Sequence, residues 1–318
     1  MNNQLGENKM NSYIRMVKQF VLAPKVRFGY LTRAGFYNHM SDEEYLSRKY
    51  QLYFGQKLNL QNPQTFNEKL QWLKLYNRKP EYTVMVDKYK VREYIAQTLG
   101  EEYLIPLLGV WDDPDEIDFD ALPDQFVLKC NHNSGLGMCI CKDKFKLHIP
   151  KVKAGLKKGL KEDYYLTGRE WPYKDVPRKI IAEKYIEDAS GELRDYKFYC
   201  FNGVMKFVMI NSDRNTDKPT RADYFDRDFN WLDFTWGYSH AEVHPQKPEQ
   251  FEKMVAIAEK LAAGLPHIRV DLYECNGQIY FGELTFFDGS GFDKIEPLEW
   301  NYKLGQMITL PTMEKKIL

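Results

Sequence analysis

Residues 269–285, RVDLYECNGQIYFGELT, constrain the fold more than any other stretch of the chain. They read as two apolar strands joined at Asn276-Gly277, the strongest short hairpin signal. Each strand carries one carboxylate, Asp271 and Glu283, among residues that otherwise favour burial. An ionised carboxylate there is costly unless a cation or donor compensates it. Two on neighbouring strands suggest a shared hard cation of the Mg²⁺ type, carried in with a phosphate. The other reading is that one faces water while its fellow caps a loop. Register adds a condition. With Asn276-Gly277 alone as the loop, Asp271 pairs with Gly282, and Glu283 points to the opposite face. A three-residue loop, Asn276 to Gln278, or a bulge sets the two carboxylates side by side.

At 318 residues the chain suits one large or two modest domains. Lys+Arg and Asp+Glu both number 45, so no net field draws it toward nucleic acid. A hydrophobic content of 43% fits a globular protein, and no apolar run approaches the roughly 20 residues that span a bilayer. Cys130, Cys139, Cys141, Cys200 and Cys275 form an odd set without framework spacing. They fit a reducing compartment, hence a cytoplasmic protein. With His132 they match no common zinc pattern. Near the start, Lys9, Arg15, Lys18, Lys25, Arg27 and Arg33 face one Glu, and Ile14, Val17, Phe20 and Val21 recur at helical spacing. A basic amphipathic helix touching the inner face of a membrane is one reading; a helix packed on the fold is the other.

The first eighty residues read as helical, with capping-box signals at Ser41–Glu44 and Thr65–Glu68. A further helix is expected over 87–99. Beyond residue 104 strands and helices alternate. Strands are expected at 125–130 and 179–186, a Lys-rich helix at 151–161, and a hairpin over 196–210 turning at Asn202-Gly203. A helix over 251–263 precedes the carboxylate hairpin. Antiparallel hairpins mixed with helices argue an α+β architecture.

Within that order lie parts that suit a Mg²⁺–nucleoside triphosphate. Lys129 ends an apolar strand and is a compact cation fit for a phosphate, or a snorkelling strand terminus. The loop Asn133-Ser134-Gly135-Leu136-Gly137 allows backbone N–H groups close approach to phosphates, although short glycine loops are common. Lys197 sits between Tyr196 and Phe198 on a strand, where a salt-bridged surface lysine is the ordinary reading. Two strand lysines, a glycine loop and paired carboxylates together say more than each alone.

This order of parts resembles the ATP-grasp superfamily. More narrowly, the chain resembles the TupA-like ATP-grasp family, associated with bacterial cell-surface polysaccharide synthesis. The stretches that carry the resemblance are 65–76 (TFNEKLQWLKLY), 87–92 (DKYKVR), 126–132 (FVLKCNH), 168–173 (GREWPY), 182–188 (AEKYIED), 193–198 (LRDYKF) and 269–291. The resemblance implies an ATP-grasp fold, with a helical region over 1–80, a catalytic domain over 81–318 and a hinge near 183–188. It implies that Lys88 and Lys129 contact the nucleotide, with Ser134, Gly135 and Gly137 as a flap over the phosphates. Glu183, Lys184, Tyr185 and Ile186 then read the adenine edge, and Glu187 or Asp188 the ribose. Lys197 meets the γ-phosphate, Asp271, Glu283 and Thr285 hold Mg²⁺, and Arg269 stabilises charge on the transferring group. Thr285 departs from the pattern, which places an Asn two residues after the Glu. The N-terminal region also lacks the Rossmann-like subdomain common in ATP-grasp enzymes.

The activity so implied is an ADP-forming ligation of a carboxylate with an amine through an acyl phosphate. A uronic acid and an amino acid or amino sugar are the expected pair. Arg194, Arg169 with its neighbours Gly168, Glu170 and Trp171, and Gly289-Ser290-Gly291 are acceptor-binding candidates, with Arg169 or Arg194 as a carboxylate clamp. A glycosyltransferase using a nucleotide sugar is the first alternative, distinguished by stabilisation with UDP- or GDP-sugars rather than ATP. A non-catalytic nucleotide-binding subunit is the second, motivated by Thr285.

Overall fold

The computed structural model describes residues 23–187, 193–213 and 217–312. The expected basic helix falls mostly before residue 23, and Asp188 also lies outside the described residues. Helices come first: α1 (Pro24–Arg33), α2 (Asp42–Phe54), α3 (Phe66–Tyr76), α4 (Glu81–Val86) and α5 (Val91–Thr98). Ser41 caps α2 by accepting from the Glu44 N–H at 3.2 Å. At α3 the box closes both ways, Thr65 and Glu68 each accepting the other's N–H. The expected helix over 87–99 begins only at Val91. Asp87 turns its carboxylate onto the N–H groups of Tyr89 (2.9 Å) and Lys90 (3.3 Å), holding that stretch as a turn.

A first antiparallel sheet holds β1 (Leu107–Trp111), β2 (Phe126–Cys130), β3 (Cys139–Cys141) and β4 (Ile180–Lys184) in the order β1-β4-β2-β3. Between β3 and β4 lie α6 (Ile149–Leu160) and α7 (Tyr164–Gly168). Alternation decides the two faces. Phe126, Leu128, Cys130, Ile180 and Ala182 pack with Leu156 of α6 in one apolar cluster. Val127, Lys129, Ile181 and Glu183 therefore face the other way, toward the second sheet.

The second sheet follows from β5 (Asp195–Phe201), β6 (Val204–Ser212) and β7 (Arg221–Asp226). After β8 (Thr235–Trp236) and α8 (Phe251–Ala262) come β9 (His267–Cys275), β10 (Gln278–Thr285), β11 (Ile295–Glu296) and α9 (Leu298–Met307). Its order is β10-β9-β5-β6-β7, antiparallel throughout. Phe198, Cys200, Ile268 and Val270 pack in the main core with Met254, Val255, Ala258 and Leu261 of α8. The opposite face carries the charges. Helix α9 packs on α3, closely enough that a Cβ on Gly305 would sit 2.1 Å from the Gln64 carbonyl oxygen.

Candidate active site

The carboxylate hairpin turns on Asn276-Gly277 alone, Gln278 pairing with Cys275. Left regular, that register separates the two acids. A bulge between Phe281 and Glu283 absorbs Gly282, and Glu283 then stands opposite Asp271. Glycine suits the place: a Cβ there would meet the Asp271 carbonyl oxygen at 3.0 Å and the Tyr273 ring at 3.0 Å. On the adjoining strand Lys197 pairs with Asp271 in register, and Asp195 lies two residues away on the same face. One polar face thus gathers Asp195, Lys197, Arg269, Asp271, Glu283 and Thr285 from three strands.

Arg269 organises this face. Its Nε and Nη2 donate to the two oxygens of Asp271, both at 2.7 Å, and Nη2 also donates to Glu283 at 2.9 Å. Its Nη1 donates to Asp288, beyond the end of β10. Lys197 donates to Asp271 at 2.6 Å and to Asp195. Burial opposes the charges on Lys197 and Arg269, but the carboxylates around them outweigh it and hold both above their ordinary values. Burial pushes Glu283 up, yet Lys88, Arg269, Lys197 and Lys129 together bring it down to about 2. Burial prevails for Asp271, whose carboxyl lies above the usual range despite Arg269 and Lys197.

Facing cations come from the Asp87 turn and from β2 of the first sheet. The Asp87 turn aims Lys88, whose Nζ donates to the Asn133 carbonyl at 2.8 Å and lies 3.7 Å from Glu283. Burial pulls this ammonium below its ordinary value. Lys129 pairs with Glu183 at 2.6 Å, and Arg92 pairs with the other oxygen of Glu183 at 3.2 Å. Both Glu183 oxygens are therefore engaged by cations. The 133–137 loop leaves Ser134 and Gly135 exposed, while Asn133 Nδ2 donates to Leu136 (3.1 Å) and Gly159 (3.3 Å) carbonyls. Gly135 and Gly137 adopt φ of 83° and 82°, and a Cβ on Gly137 would meet the Gly155 carbonyl oxygen of α6 at 2.9 Å.

Against the polar face of the second sheet lies a cleft of about 230 Å³ that brings Lys88, Ser134, Arg269, Glu283 and Thr285 together. Two larger, open grooves elsewhere, of about 750 and 680 Å³, gather no such cluster. The Lys184 side chain lines the second of them, not the cleft. Tyr185 and Glu187 bridge the sheets: the Tyr185 hydroxyl donates to Glu187 at 2.9 Å, and the Glu187 carbonyl meets Cys275 Sγ at 3.2 Å. Ile186 lies within this bridge. Arg194 is exposed and outside the cleft lining, and Arg169 is 2% exposed and committed elsewhere. The Arg169 guanidinium donates to the Tyr37 carbonyl at 2.6 Å and lies 4.5 Å over the Tyr45 ring. Neither arginine is placed as a carboxylate clamp.

The sequence reading missed Asp195 and Asp288. Alternation with Lys197 on an apolar strand marks Asp195, but Asp288 lies in a turn where no periodicity points to it. Helix α3 shapes that turn. Gln71 donates to the Ser290 and Gly291 carbonyls, and Lys74 to the Ser290 and Gly168 carbonyls at 2.7 and 2.8 Å. These bonds capture a backbone in which Gly289 and Ser290 both sit in the left-handed region, φ 53° and 54°.

For Mg²⁺ the donor chemistry fits, since Asp271, Glu283 and Thr285 offer hard oxygens. Their availability differs. The Glu283 side chain is 37% exposed and borders the cleft, with the Thr285 hydroxyl 3.3 Å from its Oε1. Asp271 spends both oxygens on Arg269 and Lys197. It is an open ligand only once Arg269 turns away.

Lys88, Arg269 and the acids Glu170, Glu283 and Asp288 thus line one cleft, and the family match places the chain in the ATP-grasp class. The TupA-like ATP-grasp family model matches residues 68–309, and the chain belongs to that family. Among solved structures it is similar to the D-alanine–D-alanine ligase of Helicobacter pylori: 14% identity, 76% of this chain, 69% of that chain, TM-score 0.41. The D-alanine–D-alanine ligase of Bacillus anthracis complexed with ATP matches at 16% identity over 71% of this chain and 65% of that one, TM-score 0.41. D-cycloserine synthetase DcsG matches at 14% identity over 72% and 70%, TM-score 0.42. A search of curated proteins finds no match. Among the described residues no helix is long and apolar enough to cross a membrane.

Proposed function

We propose that the chain is an ATP-dependent, ADP-forming ligase that joins a carboxylate to an amine through an acyl phosphate. The observation that carries the reading is the bulged hairpin, which sets Glu283 and Arg269 at one cleft with Lys88. Such a cluster suits phosphoryl transfer, where positioning and charge compensation supply most of the catalysis. Lys88, Lys129 and Arg269 offset phosphate charge, and Lys197 holds Asp271 and Asp195 in place behind them. Glu283 and Thr285, with Asp271 once released, would hold Mg²⁺, which would offset negative charge on the phosphates. A substrate carboxylate oxygen attacks the γ-phosphorus and ADP leaves. The amine then attacks the acyl carbon and phosphate departs. Ser134 and its loop would cover the acyl phosphate against water.

The cleft is smaller than the roughly 300–1,000 Å³ of small-molecule sites. Binding a nucleotide therefore calls for the sheets to part about the 185–187 bridge. The family's association with cell-surface polysaccharide points to a uronic acid as the carboxylate and an amino acid or amino sugar as the amine. The basic N-terminal residues would hold the enzyme at the inner face of the membrane, tested by sedimentation with anionic vesicles. Mass spectrometry of ATP-dependent products across uronic acids and amines tests the reaction. The expected result is an amide with ADP and phosphate in equal amounts. Stabilisation by UDP- or GDP-sugars without any response to ATP contradicts it, and ATP binding without turnover of any acid leaves a nucleotide-binding subunit.

A further inference from the structure

The cleft has a second end, lined by Tyr164, Gly168, Glu170, Tyr173 and Ser290. Glu170 is 4% exposed, and among the described residues no Lys, Arg or His nitrogen lies within 4.0 Å of its carboxylate. Lys74 and Lys49 act on it only through space, and the Ser290 side chain is a further influence that favours its charged form. Both lysines are committed elsewhere. Lys74 donates to Gln71, Gly168 and Ser290, and Lys49 to the Thr167 carbonyl at 2.9 Å while lying 4.3 Å over the Phe292 ring. A buried carboxylate without a contact ion pair is costly, and a cation arriving from the cleft offsets that cost.

The surroundings fit an organic cation. Tyr164 and Tyr173 pack edge-to-face at 4.8 Å between ring centroids beside it. Glu170 is the largest influence raising the Tyr164 phenol, so that hydroxyl stays neutral and able to donate or accept. Asp288 adds negative charge at the junction with the Arg269 end. Burial also lifts the Glu170 carboxyl above its ordinary range, although Lys74, Ser290 and Lys49 oppose this, which suits it to receive a proton.

We propose that this end of the cleft is an amine subsite, in which Glu170 pairs with the ammonium of the second substrate and takes its proton. The inference rests on the ligase reading above for its chemistry, though not for ammonium binding itself. The step balances. R–NH₃⁺ gives one proton to the Glu170 carboxylate, and the freed lone pair attacks the acyl carbon. The C–N bond forms, the C–O bond to phosphate breaks, and the departing phosphate takes the second nitrogen proton.

The test titrates glucosamine, ethanolamine and L-alanine into the full chain and into Glu170→Gln, with and without Mg²⁺ and ATP, by calorimetry. N-acetylglucosamine is the uncharged control. The expected result is that an ammonium probe binds, the control does not, and Glu170→Gln weakens the probe about tenfold or more with ATP affinity unchanged. Glu170→Asp, which keeps the charge, recovers part of the loss. Equal affinity in Glu170→Gln, equal binding of N-acetylglucosamine, or no binding by any ammonium probe overturns the proposal. If ATP fails to bind while the probe binds and depends on Glu170, the ligase reading falls and the cation site stands. Should Glu170→Gln not fold, Tyr164→Phe and Tyr173→Phe are expected to weaken the probe several-fold, and unchanged binding in both overturns the proposal.

Discussion

Replacing Lys197 by Met probes the charge balance behind the cleft. Its ammonium lies 2.6 Å from Asp271 and bonds Asp195, and those carboxylates are 2% and 4% exposed. Methionine fills much of the volume but cannot compensate either acid. Breaking a buried ion pair by removing one partner costs about 3–5 kcal/mol. Arg269 still holds Asp271 through two bonds of 2.7 Å, so the lower end, about 3 kcal/mol, is expected. For a chain of this size that lowers Tm by roughly 4–5 °C. The deficit should also depend on pH. In the variant a buried carboxylate is held above its unfolded pKa, so the folded state binds more protons, and stability returns as pH falls through that folded value. Urea unfolding of both proteins at about pH 7.5 and about pH 5 measures this directly. A loss under about 1 kcal/mol, or a deficit that does not shrink on acidification, refutes the assigned network.

Lys129→Met should weaken ATP binding about ten- to a hundredfold by calorimetry. Its fold should persist, because Arg92 still pairs with Glu183. Glu283 is held at about 2 against an ordinary 4.5. Its stabilisation is therefore complete above about 4.5 and lost as pH falls toward 2. Water screens the 37% exposed side chain, so Glu283→Gln should flatten this acid limb by only about 1 kcal/mol, read from acid titration of stability. Gly305→Ala should destabilise by about 1–3 kcal/mol in urea unfolding, since its Cβ would collide with the Gln64 carbonyl oxygen 2.1 Å away.

Periodicity and turn chemistry made much of the architecture readable. Asn202-Gly203 and Asn276-Gly277 both close hairpins, and the Thr65 box starts α3. The α8 helix falls within one residue of its expected bounds. The position of Glu283 was legible only as a condition, because a tight turn and paired carboxylates are compatible only with an added bulge residue. What the sequence could not show was partner choice. Glu183 pairs with Lys129 and Arg92, residues from distant segments. Arg169 looked like a clamp because a guanidinium can pair bidentately with a carboxylate. In the fold α2 and the turn before it bury its guanidinium against Tyr45 and the Tyr37 carbonyl. Asp87 likewise shortened a helix whose pattern continued through it, since a side-chain bond to the backbone outcompeted the first helical turn.

The most direct test of carboxylate activation uses a uronic acid labelled with oxygen-18 in its carboxylate, incubated with Mg²⁺, ATP and an amine. If the carboxylate attacks the γ-phosphate in this cleft, the released phosphate carries one labelled oxygen, and Glu283→Gln sharply reduces its formation. Labelled acid that forms amide while the phosphate stays unlabelled, or ADP release that ignores the acid, contradicts the account.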